Sequence, residues 1–71
     1  MTIDKIRNNI HSNVGNIAVV TQNEGRNKIL EYEGWVVEVY RNIFVIKDKD
    51  SKRSFSYYDI LTDTTRISFK L

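Results

Sequence analysis

From Ile17 to the end of the chain, apolar residues alternate with polar ones, and this period of two restricts the fold more than any other feature. β-branched and aromatic side chains dominate the alternating segments, as is typical of strands with one buried face. The pattern covers residues 17–22, 28–33, 35–41, 43–48, 54–58 and 65–71. Because the second and third segments can form one long strand, we predict a mainly β fold in which five strands close into a small barrel over about residues 16–71.

The first residues follow a helical period instead, with isoleucines three and four positions apart at Ile3, Ile6 and Ile10. Thr2 is suited to cap this segment, and Gly15 is suited to a turn with positive φ after it. We predict one short helix over about residues 2–11. A helix of this length is not stable alone, so it must pack on the sheet.

Two glycines mark changes of direction in the β region. Gly25 lies in the polar segment 23–27, which is typical of a hairpin turn with glycine in the left-handed conformation. Gly34 interrupts the long second strand and predicts a bulge or bend there. A bulge at Gly34 would shift the alternation, so that Leu30 and Tyr32 share a face with residues 35, 37 and 39.

The segment 53–62 predicts how the barrel closes. A polar turn over residues 48–53 precedes the alternating residues 54–58, and residues 59–62 have the composition of a single 3₁₀ turn. Such a turn would let the last strand cross to the other edge of the sheet.

The chain has 71 residues, enough for a single domain (1–71) with a thin core. It has no cysteine for a disulfide or thiolate metal site, so a homodimer is an alternative to a monomer. The N-terminus has no continuous apolar segment, and the longest apolar runs, such as residues 17–20, have only four residues. We therefore expect a cytoplasmic protein that does not associate with a membrane.

The sequence contains no recognised catalytic or metal-binding spacing. His11 is the only histidine, and its position near the predicted helix end favours a capping role. Residues 48–59 resemble the start and end of a calcium loop, but Lys52 and Arg53 occupy positions that require an oxygen ligand and a glycine. We expect no enzymatic activity, no metal and no cofactor.

The charged residues allow a polyanionic partner without requiring one, since the formal net charge is +2. Gly25 is followed by two cations that could hold a phosphate together with main-chain N–H groups, but the pattern favours an ordinary charged hairpin turn, since it has neither a Walker spacing nor a helix directly after the loop. The candidate contacts for an anion or a nucleic acid are Arg26, Lys28, Arg41, Lys47, Lys49, Lys52 and Arg53.

Eight aromatic side chains are available both for a thin core and for stacking on a partner. Those in the most regular apolar positions, Phe44, Phe55, Tyr57 and Phe69, are predicted to be core. Three others stand beside charged residues and are candidates for a partner surface, with packing in the core or against the helix as the alternative: Trp35, Tyr40 and Tyr58.

The chain resembles the Veg family of small proteins from low-GC Gram-positive bacteria over nearly its whole length. The most specific element is Ser56-Tyr57-x-Asp59-Ile60-Leu61-Thr62, supported by the ungapped spacing of Gly15, Gly25 and Gly34. Arg26, Lys28, Glu31, Glu38-x-Tyr40 and Phe44-Val45-Ile46 also fit the pattern. The basic run after Gly25 is diluted here, because Asn27 separates its two cations.

This resemblance implies an SH3-like, Sm-related barrel behind an N-terminal helix. It also implies a stimulator of biofilm formation that acts on the transcription of matrix genes by antagonising a repressor. We therefore expect a non-enzymatic regulatory protein that contacts a transcriptional regulator. The alternative is a nucleic-acid-binding module of the Sm or SH3-like type.

Overall fold

The computed structural model describes residues 2–70, in which two short helices accompany one antiparallel sheet of five strands. The elements in chain order are α1 (Ile3–His11), β1 (Ile17–Asn23), β2 (Ile29–Val39), β3 (Ile43–Lys47), β4 (Lys52–Ser56), α2 (Tyr57–Leu61) and β5 (Thr65–Lys70). The prediction of a mainly β fold with one long second strand is confirmed. The predicted strand end at Leu71 lies outside the described residues.

The sheet is open, which corrects the prediction of a closed barrel. Its strand order is β4-β3-β2-β1-β5, so β4 and β5 form the two edges and do not pair with each other within residues 2–70. β5 pairs instead with β1, with Ile67 opposite Val20. The chain passes from one edge to the other through α2, which contacts both edge strands. The predicted crossing of the last strand to the other edge is therefore present, but the two edge strands form no ladder with each other within residues 2–70.

The connection after β4 also differs from the predicted 3₁₀ turn. Tyr57 and Tyr58 belong to α2 rather than to a strand, because Ser56 ends β4 in an extended conformation and caps the helix. The Ser56 hydroxyl accepts a hydrogen bond of 3.1 Å from the main-chain N–H of Tyr58. β4 begins at Lys52, two residues before its predicted start, so the preceding turn contains only residues 48–51.

The core lies on one face of the sheet, which we call the inner face. The predicted core aromatics Phe44, Phe55 and Tyr57 are buried, and Phe69 is half-buried against them. The ring of Phe44 lies between the other two rings, with centroids 5.6 Å from Phe55 and 5.7 Å from Tyr57. Alternation along the strands adds the apolar residues Ala18, Val20, Val36 and Ile46.

A β-bulge in β2 lies three residues beyond the predicted place. Gly34 pairs in register with Ala18, and the register with β3 shifts between Val36 and Glu38. Gly34 and Val36 are buried, whereas Trp35 is exposed, so the predicted placement of Trp35 on the same face as Leu30 and Tyr32 was wrong. The bulge reverses the alternation after Val36, so that residue 39 packs on the core and the Glu38 carboxylate avoids burial.

Helix α1 covers the core with Ile6 and Ile10, which are both buried. Thr2 caps the helix as predicted, since its hydroxyl accepts a hydrogen bond of 3.2 Å from the N–H of Lys5. Gly15 has φ of +90° in the turn that follows, and its N–H donates to the Val36 carbonyl at 2.8 Å. This bond fixes the end of the helical segment to the middle of β2.

Candidate functional site

The three aromatic side chains predicted to meet a partner are all exposed, but they do not lie together. The exposed fractions are 43% for Trp35, 51% for Tyr40 and 54% for Tyr58. Trp35 lies on the face of the sheet opposite the core, which we call the outer face. Tyr40 follows β2, roughly 16 Å further along the strand, and Tyr58 is on α2. The structure therefore divides the predicted site in two.

The loop that carries Tyr40 is held by hydrogen bonds to three successive carbonyl groups. The hydroxyl of Tyr57 donates to the Tyr40 carbonyl at 2.6 Å, and the N–H of Tyr57 donates to the Asn42 carbonyl at 3.3 Å. Between them, the Arg7 guanidinium donates to the Arg41 carbonyl at 2.9 Å. Burial raises the pKa of the Tyr57 hydroxyl, so its proton stays available for this bond at neutral pH. These contacts join the β2–β3 loop to both helices.

Four large apolar side chains are exposed on this loop and the elements beside it, and we call them the α2 corner: Tyr40, Ile43, Tyr58 and Leu61. Tyr58 and Leu61 are three positions apart on α2 and therefore share a face of the helix. Ile43 is paired with Ser56, the residue that caps α2. The α2 corner is thus an exposed apolar surface on a main chain fixed by hydrogen bonds.

Tyr40, in the α2 corner, lies two residues beyond Glu38 in the chain. Its pKa is raised, first because its hydroxyl hydrogen-bonds the Glu38 carboxylate and then through partial burial and the negative charge of that carboxylate. The bulge in β2 makes this contact feasible, because it turns Glu38 outward like Tyr40. The Tyr40 hydroxyl therefore remains protonated and able to donate at neutral pH.

The seven predicted basic residues fall into separate groups. Arg26 and Lys28 lie in the β1–β2 turn, and Arg41 lies in the β2–β3 loop. Gly25 has φ of +88° in the first of these turns, as predicted, and Arg26 and Asn27 also have positive φ. The main chain of the β1–β2 turn is thus left-handed at three successive residues. The other five predicted basic residues belong to the β2–β3 loop and the β3–β4 hairpin.

The remaining four basic residues belong to the β3–β4 hairpin, on both of its faces. Arg53 is paired with Ile46 on the inner face, and its guanidinium lies 5.5 Å from the ring centroid of Tyr32. Lys47 and Lys52 are directly opposite each other on the outer face, on either side of the turn that contains Lys49. Only this last group is close to Trp35.

A row of directly opposite residues crosses all five strands on the outer face, and we call it the Trp35 row. In strand order it contains Lys52, Lys47, Trp35, Ile17 and Lys70. Directly opposite residues in a sheet point to the same face, so the indole and the three ammonium groups share one surface. Ile17 and Lys70 were not among the predicted site residues, because only the strand register brings them here.

A cleft of about 510 Å³ between α1 and β5 contains none of the predicted site residues. Its apolar lining comes from four isoleucines, Ile6, Ile10, Ile60 and Ile67, with Lys5 and Arg66 among its polar residues. Arg66 is occupied in a two-bond ion pair with Asp63, at 2.9 and 3.0 Å. The cleft is therefore a gap between packed elements, and the predicted site residues do not meet in it.

Residues 2–70 contain no group of three or more histidine and acidic side chains placed to hold a metal ion. Asp48, the first residue of the calcium-like segment, instead accepts main-chain hydrogen bonds at 2.8 Å from both Asp50 and Ser51. These main-chain bonds are the largest cause of the lowered pKa of the Asp48 carboxyl, and smaller contributions come from the Tyr32 and Ser51 hydroxyls. Within the same residues, neither helix has the length and apolar character needed to cross a membrane.

A family model described as "Biofilm formation stimulator VEG" matches residues 1–68. No curated protein matches the chain significantly. The family match covers α1, all the strands up to most of β5, and both the α2 corner and most of the Trp35 row.

Proposed function

The chain belongs to the Veg family of biofilm formation stimulators, and on that premise we propose that it regulates the transcription of biofilm matrix genes without being an enzyme. It acts by contacting a transcriptional regulator that represses those genes, which places it in the cytoplasm. The family's description as a stimulator denotes a regulatory rather than a catalytic role. The SH3-like, Sm-related architecture implied by the resemblance belongs to the same proposal, supported by the strand order β4-β3-β2-β1-β5.

The observation that carries the proposal is the fixed β2–β3 loop. All three of its successive carbonyl groups are bonded to Tyr57 or Arg7, at 2.6, 2.9 and 3.3 Å. Tyr40 can therefore present its exposed ring from a main chain that loses little freedom when a partner binds. Tyrosine side chains that are held in this way are frequent anchors of protein interfaces.

The α2 corner supplies the apolar part of the contact. Tyr58 and Leu61 extend the exposed surface along one face of α2, and Ile43 lies at the end of the adjoining strand. Arg41 is the nearest exposed cation in the sequence and would lie at the rim. We propose that this corner enters a depression on the regulator, with Tyr40 and Tyr58 as its main contacts.

The proposal is tested with the double variant Tyr40→Ala/Tyr58→Ala in cells and in isolation. We expect capture of the regulator to weaken about tenfold or more and matrix-gene expression to fall toward that of a strain lacking the gene. The control is Tyr40→Phe/Tyr58→Phe, which keeps both rings and should retain most of the binding. Unchanged capture and expression in the alanine variant would contradict this assignment.

We also propose that the chain can form a homodimer. The support is a thin core together with two sheet edges, β4 and β5, that have no outer strand partner within residues 2–70. Sedimentation at several protein concentrations tests this point. A molecular mass that stays at the monomer value, 8.4 kDa, at every concentration would exclude the dimer.

A further inference from the structure

We propose that the Trp35 row binds single-stranded nucleic acid, with a base stacked on the indole of Trp35 and phosphates held by Lys47 and Lys52. This site is separate from the α2 corner, and it adds a second ligand to the proposed contact with a regulator. Two observations support the site. The strand register places Trp35 opposite Lys47 and Lys47 opposite Lys52, and neither lysine has an ion pair among residues 2–70.

The register places the ring and the cations side by side. Trp35 is directly opposite Lys47, and Lys47 is directly opposite Lys52. Neighbouring strands are about 4.8 Å apart, so the five positions of the row extend over roughly 19 Å. This length suits a short stretch of single strand, since sites on comparable small β domains hold about four nucleotides or more.

The lysine pair is unfavourable for the sheet by itself. Like charges at directly opposite positions destabilise a β-sheet, and neither Lys47 nor Lys52 has an ion pair among residues 2–70. Of the carboxylates in the β3–β4 turn and on β2 near Trp35, none forms an ion pair with either lysine among residues 2–70. Asp48 accepts main-chain hydrogen bonds within its own turn, and Glu33 pairs with Lys70 at 3.0 Å. A bound phosphate would offset the repulsion that no side chain offsets.

The ring favours a nucleic acid over an acidic peptide. Trp35 is exposed although the residues on both sides of it in β2, Gly34 and Val36, are buried, because the alternation of the strand turns it outward. Aromatic rings beside cations bind single strands by stacking on bases, and stacking tolerates any base. A run of acidic side chains would use the lysines but would offer no planar group for the indole.

Trp35 is the only tryptophan in the chain, so its fluorescence reports directly on stacking at the site. The experiment titrates the full chain with an oligothymidine of about 12 nucleotides. We expect quenching that saturates. The logarithm of the binding constant falls with the logarithm of the salt concentration, with a slope of roughly −0.7 for each neutralised phosphate. If two phosphates are neutralised, binding should therefore be about sevenfold weaker at about 200 mM salt than at about 50 mM.

Two double variants distinguish binding at the Trp35 row from non-specific attraction of the nucleic acid to the net positive charge. Lys47→Gln/Lys52→Gln should weaken binding about tenfold and remove most of the salt dependence. Lys5→Gln/Arg66→Gln removes the same charge from elsewhere on the surface and should bind like the unaltered chain. Equal weakening by the two double variants, or an unaltered affinity in Lys47→Gln/Lys52→Gln, would overturn the proposal.

Two competing ligands complete the test. Duplex DNA of the same length should quench Trp35 much less, because its bases are not free to stack. Polyglutamate that quenched as strongly as the oligonucleotide would assign the row to an acidic protein surface instead. The α2 corner is tested independently, because Tyr40→Ala/Tyr58→Ala should leave the titration unchanged and Lys47→Gln/Lys52→Gln should leave capture of the regulator unchanged.

Discussion

The hydroxyl of the buried Tyr57 donates a hydrogen bond of 2.6 Å to the main-chain carbonyl of Tyr40. Tyr57 is thus both a core residue, stacked on Phe44, and the residue that fixes the loop before β3. The contact connects the interior of the molecule to one of its two exposed aromatic surfaces. A substitution of Tyr57 in the core should therefore also alter the loop conformation at Tyr40.

Tyr57→Phe should lower the free energy of unfolding by about 1–2 kcal/mol, because it leaves the Tyr40 carbonyl without its buried donor. Urea denaturation followed by circular dichroism measures the change. Tyr58→Phe is the matched control, since that ring is exposed and its hydroxyl makes no hydrogen bond within residues 2–70. Equal stability of the two variants would mean that the Tyr57 bond contributes nothing.

Thr65→Val should raise the free energy of unfolding by about 1 kcal/mol. The Thr65 side chain is buried, and its hydroxyl has no hydrogen-bond partner among residues 2–70. Valine keeps the shape and removes the unsatisfied group. Thr65→Ser, which keeps the hydroxyl and loses a methyl group, should instead destabilise the protein by about 1 kcal/mol. Thermal unfolding of both variants checks the opposite signs, and a destabilised valine variant would contradict the argument.

Gly34→Ala should destabilise the sheet by about 1–3 kcal/mol. A Cβ atom at Gly34 would lie 2.6 Å from the Lys47 carbonyl oxygen and 2.7 Å from Cγ2 of Ile46, so β2 and β3 would have to separate. Gly25→Asn is the comparison, because space around Gly25 is open and asparagine tolerates positive φ. Chemical denaturation should show a smaller loss for this second change, about 1 kcal/mol or less, which comes from the positive φ alone. A similar loss at both sites would argue against close packing at Gly34.

Stability should fall when the pH drops below about 4, the range in which free aspartate titrates. Asp48 and Asp63 both have lowered pKa values in the folded protein, the first through main-chain hydrogen bonds and the second through the bonds from Arg66. A lowered folded pKa means that the stabilisation is present above the pKa of the unfolded chain and is lost as the pH falls through the folded value.

Asp48→Asn checks this dependence. The urea midpoint of the variant should lie below that of the unaltered chain at about pH 6, and the two should approach each other at about pH 2.5. Asp50→Asn is the control, because the Asp50 side chain makes no hydrogen bond within residues 2–70. A difference between Asp48→Asn and the unaltered chain that is constant with pH would exclude the carboxylate as its source.

Part of the candidate site could be predicted from local chemistry. Charged neighbours made Trp35, Tyr40 and Tyr58 candidates for a partner surface, with packing in the core or against the helix as the alternative, and all three are exposed. The grouping of these residues could not be predicted, since it depends on where β2 bulges and where α2 begins. The bulge lies at residue 37 rather than at Gly34, so Gly34 and Val36 stay on the inner face, Trp35 stays outside, and Glu38 is turned away from the core.

The sequence by itself determined α1, the approximate positions of the five strands and the turn at Gly25, but not α2. The isoleucine stripe fixed α1, the period of two fixed the strands and the core aromatics, and Gly25 fixed a left-handed turn, because each of these depends on residues close together in the chain. Only the tertiary structure decided that the sheet stays open, that Tyr57 holds the Tyr40 carbonyl, and that Lys70 joins Lys47 beside Trp35. Those relationships depend on cross-strand register and on hydrogen bonds between distant residues, which local periodicity does not encode.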